Sequence, residues 1–198
     1  MPAEATDRQA AFLVRIAGWM LVACGAVALV AATALMVEKL RMLEDPTRVP
    51  ACTIDAVLAC GSVMNSDQAE AFGIPNPLLG IAGFAALTAI GVTVLAGAAL
   101  PRWLWLTVQA GVTFAACFVH WLFFQSVYRI EALCPYCMAV WIASIVAFVY
   151  VTAHNVARGF LPTGSVLIRH HGVLVTVWLT ALTLLIGEAF WDHWRTKL

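Results

Sequence analysis

Charge is what this chain has least of. Only 11% of its 198 residues are Asp, Glu, Lys or Arg, whereas a soluble domain carries about 25%. The basic and acidic residues number 11 each and cancel. That balance excludes an electrostatic hold on nucleic acid or a polybasic grip on anionic lipid. No polar stretch is long enough to fold alone, so the length does not divide into soluble domains. Internal repeats and low-complexity tracts are absent. So are charges at the centre of the apolar runs, which counts against a transporter.

What remains is apolar: 63% hydrophobic residues and a mean hydropathy of +0.90. A bilayer-crossing helix needs about 20 such residues, and five segments qualify: Phe12–Val37, Leu78–Leu100, Trp103–Gln125, Cys134–Ala153 and Val173–Phe190. The last is the weakest, because Glu188 falls near its end. Trp103, Trp105, Trp121, Trp191 and Trp194 sit near span ends, as an interfacial aromatic belt requires. Ala32-Thr33-Ala34 has the form of a signal-peptidase site, but the apolar run before it exceeds the roughly 7–15 residues of a signal sequence. A retained helix is expected. The fold class expected is all-α: a single polytopic membrane domain over 1–198, with a polar loop at 38–76.

With a cytoplasmic N-terminus, Arg8, Arg15, Arg102, Arg158 and Arg169 fall inside, and Lys39, Arg41, Arg48, Arg129, Arg195 and Lys197 outside. Basic residues therefore give no bias. Cysteines do. Cys24 and Cys117 lie in apolar runs and read as small hydrophobes. Cys52, Cys60, Cys134 and Cys137 all fall on one side of a five-span chain, and disulfides persist in oxidising compartments. That side is expected to be extracytoplasmic. Within the loop, Asn65 or Ser66 is expected to cap a two-turn helix carrying Ala69 and Phe72, with Gln68 completing a capping box. Gly73 suits its C-terminal left-handed position and Pro75 stops it.

Cys134-Pro135-Tyr136-Cys137 places a Cys-X-X-Cys motif where a loop becomes a helix. The free N–H groups and positive dipole end there favour thiolate, and more thiolate promotes disulfide exchange. Pro135 fits the first turn, which needs no N–H from it. Cys52-X7-Cys60 on the same face makes a relay between two pairs feasible. Static disulfides and a four-thiolate zinc site are the alternatives. The seven-residue spacing and the oxidising compartment count against zinc, and no metal is expected.

These features resemble the vitamin K epoxide reductase family in its bacterial form, over the first four spans. Cys52-X7-Cys60 resembles the family's loop pair. Ser66 matches a serine over the quinone pocket, and Asn76-Pro77-Leu78-Leu79-Gly80 its Asn-X-X-X-Gly entrance to the second span. Cys134 and Cys137 match the catalytic pair. The resemblance implies a four-helix bundle around a quinone of the menaquinone, ubiquinone or phylloquinone type, with a fifth helix outside, in the bacterial cytoplasmic membrane. It implies a thiol:quinone oxidoreductase that reoxidises a secreted partner. Electrons would enter at Cys52–Cys60, cross through a Cys60–Cys134 mixed disulfide, and leave from Cys137 to the quinone. Asn76 would polarise a quinone carbonyl. Trp141 stands where human-type enzymes have a tyrosine; an indole cannot lend a hydroxyl proton. Quinone reduction is thus expected ahead of quinone-epoxide reduction. Many bacterial members carry a thioredoxin-like domain after the fifth span; this chain stops at Leu198, so a separate DsbA-like thioredoxin-fold partner is expected. A membrane scaffold with bracing disulfides is the non-enzymatic alternative.

Other residues have plainer readings. His120 is a functional candidate by depth, though a hydrogen-bonded helix-end histidine reads more simply. His154, His170 and His171 read as interface residues on the opposite side. Asp55 reads as a solvated loop carboxylate. Phe114, Phe118 and Phe124 read as packing that could also line a ring-shaped pocket. Arg129 and Glu131 read as loop charges.

Overall fold

The chain is described by a computed structural model covering residues 2–162 and 165–195. Its elements are α1 (Pro2–Glu44), α2 (Cys60–Met64), α3 (Asn76–Leu95), α4 (Arg102–Gln125), α5 (Pro135–Ala157), α6 (Ser165–Ala189) and α7 (Trp191–Arg195). Five of these are long and apolar enough to cross a bilayer. Among the described residues there is no strand, only one parallel bridge between Leu58 and Leu133. The protein is an all-α, multi-pass membrane protein.

On α1 the residues Ala17, Leu21, Cys24, Ala28, Ala31 and Leu35 are all buried. Their alternating four- and three-residue spacing makes one stripe of the helix. Small side chains on that stripe let α3 come close. A Cβ added at Gly91 of α3 would sit 2.8 Å from the Val22 backbone nitrogen. α3 buries only Phe84, Leu87, Gly91 and Val94, again one stripe, and it is turned toward α1. α5 is buried on several faces because it packs on α1, α4 and α6 together. α3 and α4 scarcely touch. The space left between them becomes the cavity described below.

Helix ends differ from the sequence reading in instructive ways. α3 stops at Leu95, before the expected Leu100, because Gly97 takes a left-handed φ of +90° and turns the chain. α4 closes with one turn of π geometry over Ser126–Ile130, followed by Glu131 at φ 56°. The Ser126 hydroxyl donates to the Ala132 carbonyl and holds that reversal. In the loop, the expected two-turn helix is a single 3-10 turn over Asp67–Glu70, with Ser66 at its N-cap and no side-chain cap bond. The Ser66 hydroxyl instead donates to the Val63 carbonyl at 2.7 Å, which ties it back to α2. Gly73 does take the left-handed conformation, at φ +74°.

The fifth long helix, α6, is peripheral and bends at His170. It is clipped on by His120, whose Nε2 accepts the Trp178 indole N–H at 2.9 Å while Nδ1 meets the Ala116 carbonyl at 2.6 Å. His120 is therefore a helix–helix fastener. His154 departs from its interface reading: only 1% exposed, its ring packs at a tilt against Trp105 with centroids 4.0 Å apart.

Gly91→Ala is expected to push α1 and α3 apart and to cost about 1–3 kcal/mol, read as a lower thermal midpoint of the purified protein in detergent. Gly187→Ala, whose added Cβ meets nothing within 4 Å, should leave the midpoint unchanged.

Candidate functional site

Two backbone hydrogen bonds build the site. Ala59 N–H donates to the Leu133 carbonyl at 3.0 Å, and Leu133 N–H donates to the Val57 carbonyl at 2.7 Å. Cys60 and Cys134 each follow directly on this clip, so their sulfurs are delivered to one point. They lie 3.2 Å apart, and both residues are fully buried. Cys60 is joined to Cys52 in a disulfide, while Cys134 and Cys137 are free thiols. Asp55, within the loop, accepts the Val57 and Leu58 N–H groups at 2.9 and 2.8 Å and meets His193 of α7 at 3.6 Å. It shapes the turn that presents Cys60, which is more than the solvated role its sequence position suggests.

Cys134 is the N-cap residue of α5, and Pro135 occupies the first turn. The Cys134 thiol is held below its ordinary range, first by a hydrogen bond from the Cys137 thiol, against the opposing effect of burial. The Cys137 and Tyr136 N–H groups add to the lowering, as free amides at a helix start do for an anion. A thiolate is thus favoured at the sulfur that faces Cys60.

Below the sulfurs lies a cavity of about 460 Å³ between α3 and α4. Cys137 and Trp141 of α5 line its wall and Ser66, Gln68 and Asn76 its roof. It reaches down past Val108 and Ile90, so it is a long apolar slot with a few polar groups at one end. Trp141 is buried and meets the Phe123 ring edge-on, with centroids 5.3 Å apart. Phe114 and Phe118 also line the slot, stack on each other and meet Phe72 of the loop at a tilt, whereas Phe124 turns away to Tyr128.

The expected polar residues are present but partly engaged. Asn76 Nδ2 donates to the Gln68 carbonyl at 2.7 Å, and its Oδ1 accepts the Ala71 N–H at 3.2 Å. Asn76 therefore fastens the roof, with one N–H left over. Lys39 also lines the slot, a residue the sequence reading left unused. Its ammonium donates to the Met64 carbonyl at 2.9 Å and pairs with Glu70 at 3.2 Å. The signal was available, since Ala32, Leu35 and Lys39 share one helical face and all line the slot.

The model of the vitamin K epoxide reductase family matches residues 19–152, a stretch that holds every cysteine and slot residue named above and leaves α6 outside. No curated protein matches the chain.

Removing the hydrogen bond from Cys137 should raise the Cys134 pKa. In a chain whose other cysteines are alanine, thiolate absorbance of Cys134 should rise at higher pH than in a chain that also keeps Cys137. An unchanged titration would show that the backbone amides alone govern Cys134.

Proposed function

The chain belongs to the vitamin K epoxide reductase family, whose chemistry is disulfide-linked redox at a membrane, and from that premise we propose that it is a thiol:quinone oxidoreductase. The observation that carries this reading is the 3.2 Å approach of Cys60 to Cys134, directly above an apolar slot that Cys137 lines.

Both loop cysteines are buried, Cys52 less completely than Cys60, and Cys52 is taken as the sulfur that an outside thiolate attacks. A reduced thioredoxin-fold partner attacks Cys52, and its second thiol resolves the mixed disulfide, leaving Cys52 and Cys60 as thiols and the partner oxidised. Cys60 thiolate then attacks Cys134 of a Cys134–Cys137 disulfide, giving the Cys60–Cys134 bond and freeing Cys137. Cys52 closes on Cys60 and releases Cys134, so the electron pair now rests on Cys134 and Cys137. A quinone held beside Cys137 would accept two electrons and two protons from the Cys134–Cys137 dithiol, which closes to its disulfide as the quinol forms. The lowered pKa of Cys134 serves it both as nucleophile and as leaving group.

The slot suits a quinone by shape and polarity. Cys137 and Trp141 would hold the ring, and the apolar wall between α3 and α4 would take a polyisoprenoid tail. The free N–H of Asn76 donates to a ring carbonyl as charge develops, and Ser66 and Lys39 hold the roof that excludes water. Trp141 can donate one N–H but supplies no hydroxyl proton, which favours quinone over quinone epoxide as the acceptor. We place the cysteine end of the bundle outside the cytoplasm of a bacterial cell, where such a partner would meet it.

The test is quinone-dependent oxidation of a reduced thioredoxin-fold protein by the purified chain in lipid. Cys134→Ala and Cys137→Ala should drop to the uncatalysed rate with either that protein or a small dithiol. Cys52→Ala and Cys60→Ala should lose the protein substrate and keep small-dithiol turnover. Normal oxidation of the protein by both loop variants would overturn the relay. Asn76→Ala should lower quinone turnover about 100-fold, with the loop disulfide still forming.

A further inference from the structure

Three sulfurs gather where the sequence spacing suggested two separate pairs. Cys52, Cys60 and Cys134 have Sγ atoms all within 4.8 Å of one another, and all three residues are buried. Sulfurs sharing one zinc ion at a Zn–S distance of about 2.3 Å stand about 3.8 Å apart. The oxidised loop pair is closer than this, so opening its S–S bond moves the set toward zinc spacing. We propose that the fully reduced chain binds one zinc ion through the thiolates of Cys52, Cys60 and Cys134, and that this silences the relay.

The objections to zinc raised by the sequence are met by geometry and by redox state. The seven-residue spacing of the loop pair does not matter when the third ligand arrives through the clip between Leu133 and the loop. The oxidising compartment makes the site conditional: a disulfide offers no thiolates, so the site exists only after a reductant has delivered electrons and before an acceptor removes them. Binding follows Zn²⁺ plus three thiols giving a tris-thiolate complex and three protons, so affinity rises with pH. The three ligands are sulfurs that the relay needs free, so zinc held there is inhibitory. Zinc binding itself needs neither the quinone nor the protein partner, while the silencing of the relay rests on the proposed function.

The experiment uses the full chain in detergent. A phosphine reductant opens the disulfide, supplying two electrons and becoming the phosphine oxide while water supplies the oxygen and the two protons, and is then removed. Cobalt(II), titrated in, should give one equivalent of tetrahedral thiolate-to-metal charge-transfer absorption per chain, and one equivalent of zinc should abolish it. The same chain reoxidised with diamide should bind no cobalt; this control needs no substitution and keeps the fold. Cys60→Ser and Cys134→Ser should lose the band, and Cys117→Ser, whose thiol is exposed on α4, should keep it. A band that persists after reoxidation or in Cys60→Ser, or a reduced chain without one, would overturn the proposal. Either result leaves the quinone assay to be judged on its own readout.

Discussion

The site hangs on a pair of backbone hydrogen bonds between the loop and the connection that precedes α5. The Leu58–Leu133 bridge joins segments far apart in the chain, and Cys60 and Cys134 each follow their clip residue by no more than two positions. Peptide groups brought out of water must find partners. Among the described residues no other strand-like pairing competes for these. One short bridge thereby converts two distant cysteine pairs into one sulfur cluster. Side chains then refine it: Asp55 shapes the loop turn, and the Ser126 hydroxyl secures the reversal after α4.

The slot and its roof follow from the same economy of polar groups. α3 is held to α1 along a stripe with glycine at the close contact, and Phe84 and Leu87 of that stripe also border the apolar void. A void of this kind tolerates only polar groups that are already satisfied. Ser66, Asn76 and Lys39 each spend hydrogen bonds on the carbonyls of the loop above. Their role in holding the roof is visible directly, and it constrains any role toward a ligand. Asn76 retains a single donor for that purpose.

Polar burial recurs at the opposite end of the bundle. Asn155 is fully buried, donating to the Trp105 carbonyl at 3.3 Å and to Gln109 Oε1 at 3.0 Å, with His154 stacked beside it. These groups lock α5 to α4 far from the sulfurs, as interhelical polar contacts do within membranes. Together with the His120–Trp178 bond they show histidines used for fastening, a role that spacing alone does not separate from catalysis.

By itself the sequence determined the membrane class, the five spans and the identity of the sulfurs. Long apolar runs, scarce charge and a Cys-X-X-Cys motif ahead of a helix each have local physical causes, readable within one segment. The tertiary structure decided what depends on partners distant in sequence. It brought Cys60 to Cys134 through backbone groups that carry no residue signature. It chose Trp178 as the partner of His120, whose plainer reading as a hydrogen-bonded helix-end residue holds, buried His154 against Trp105, diverted the Asn76 amide to the loop and recruited Lys39 to the slot. Local propensity is written into each stretch of chain, whereas hydrogen-bond partners are chosen only when separate stretches meet.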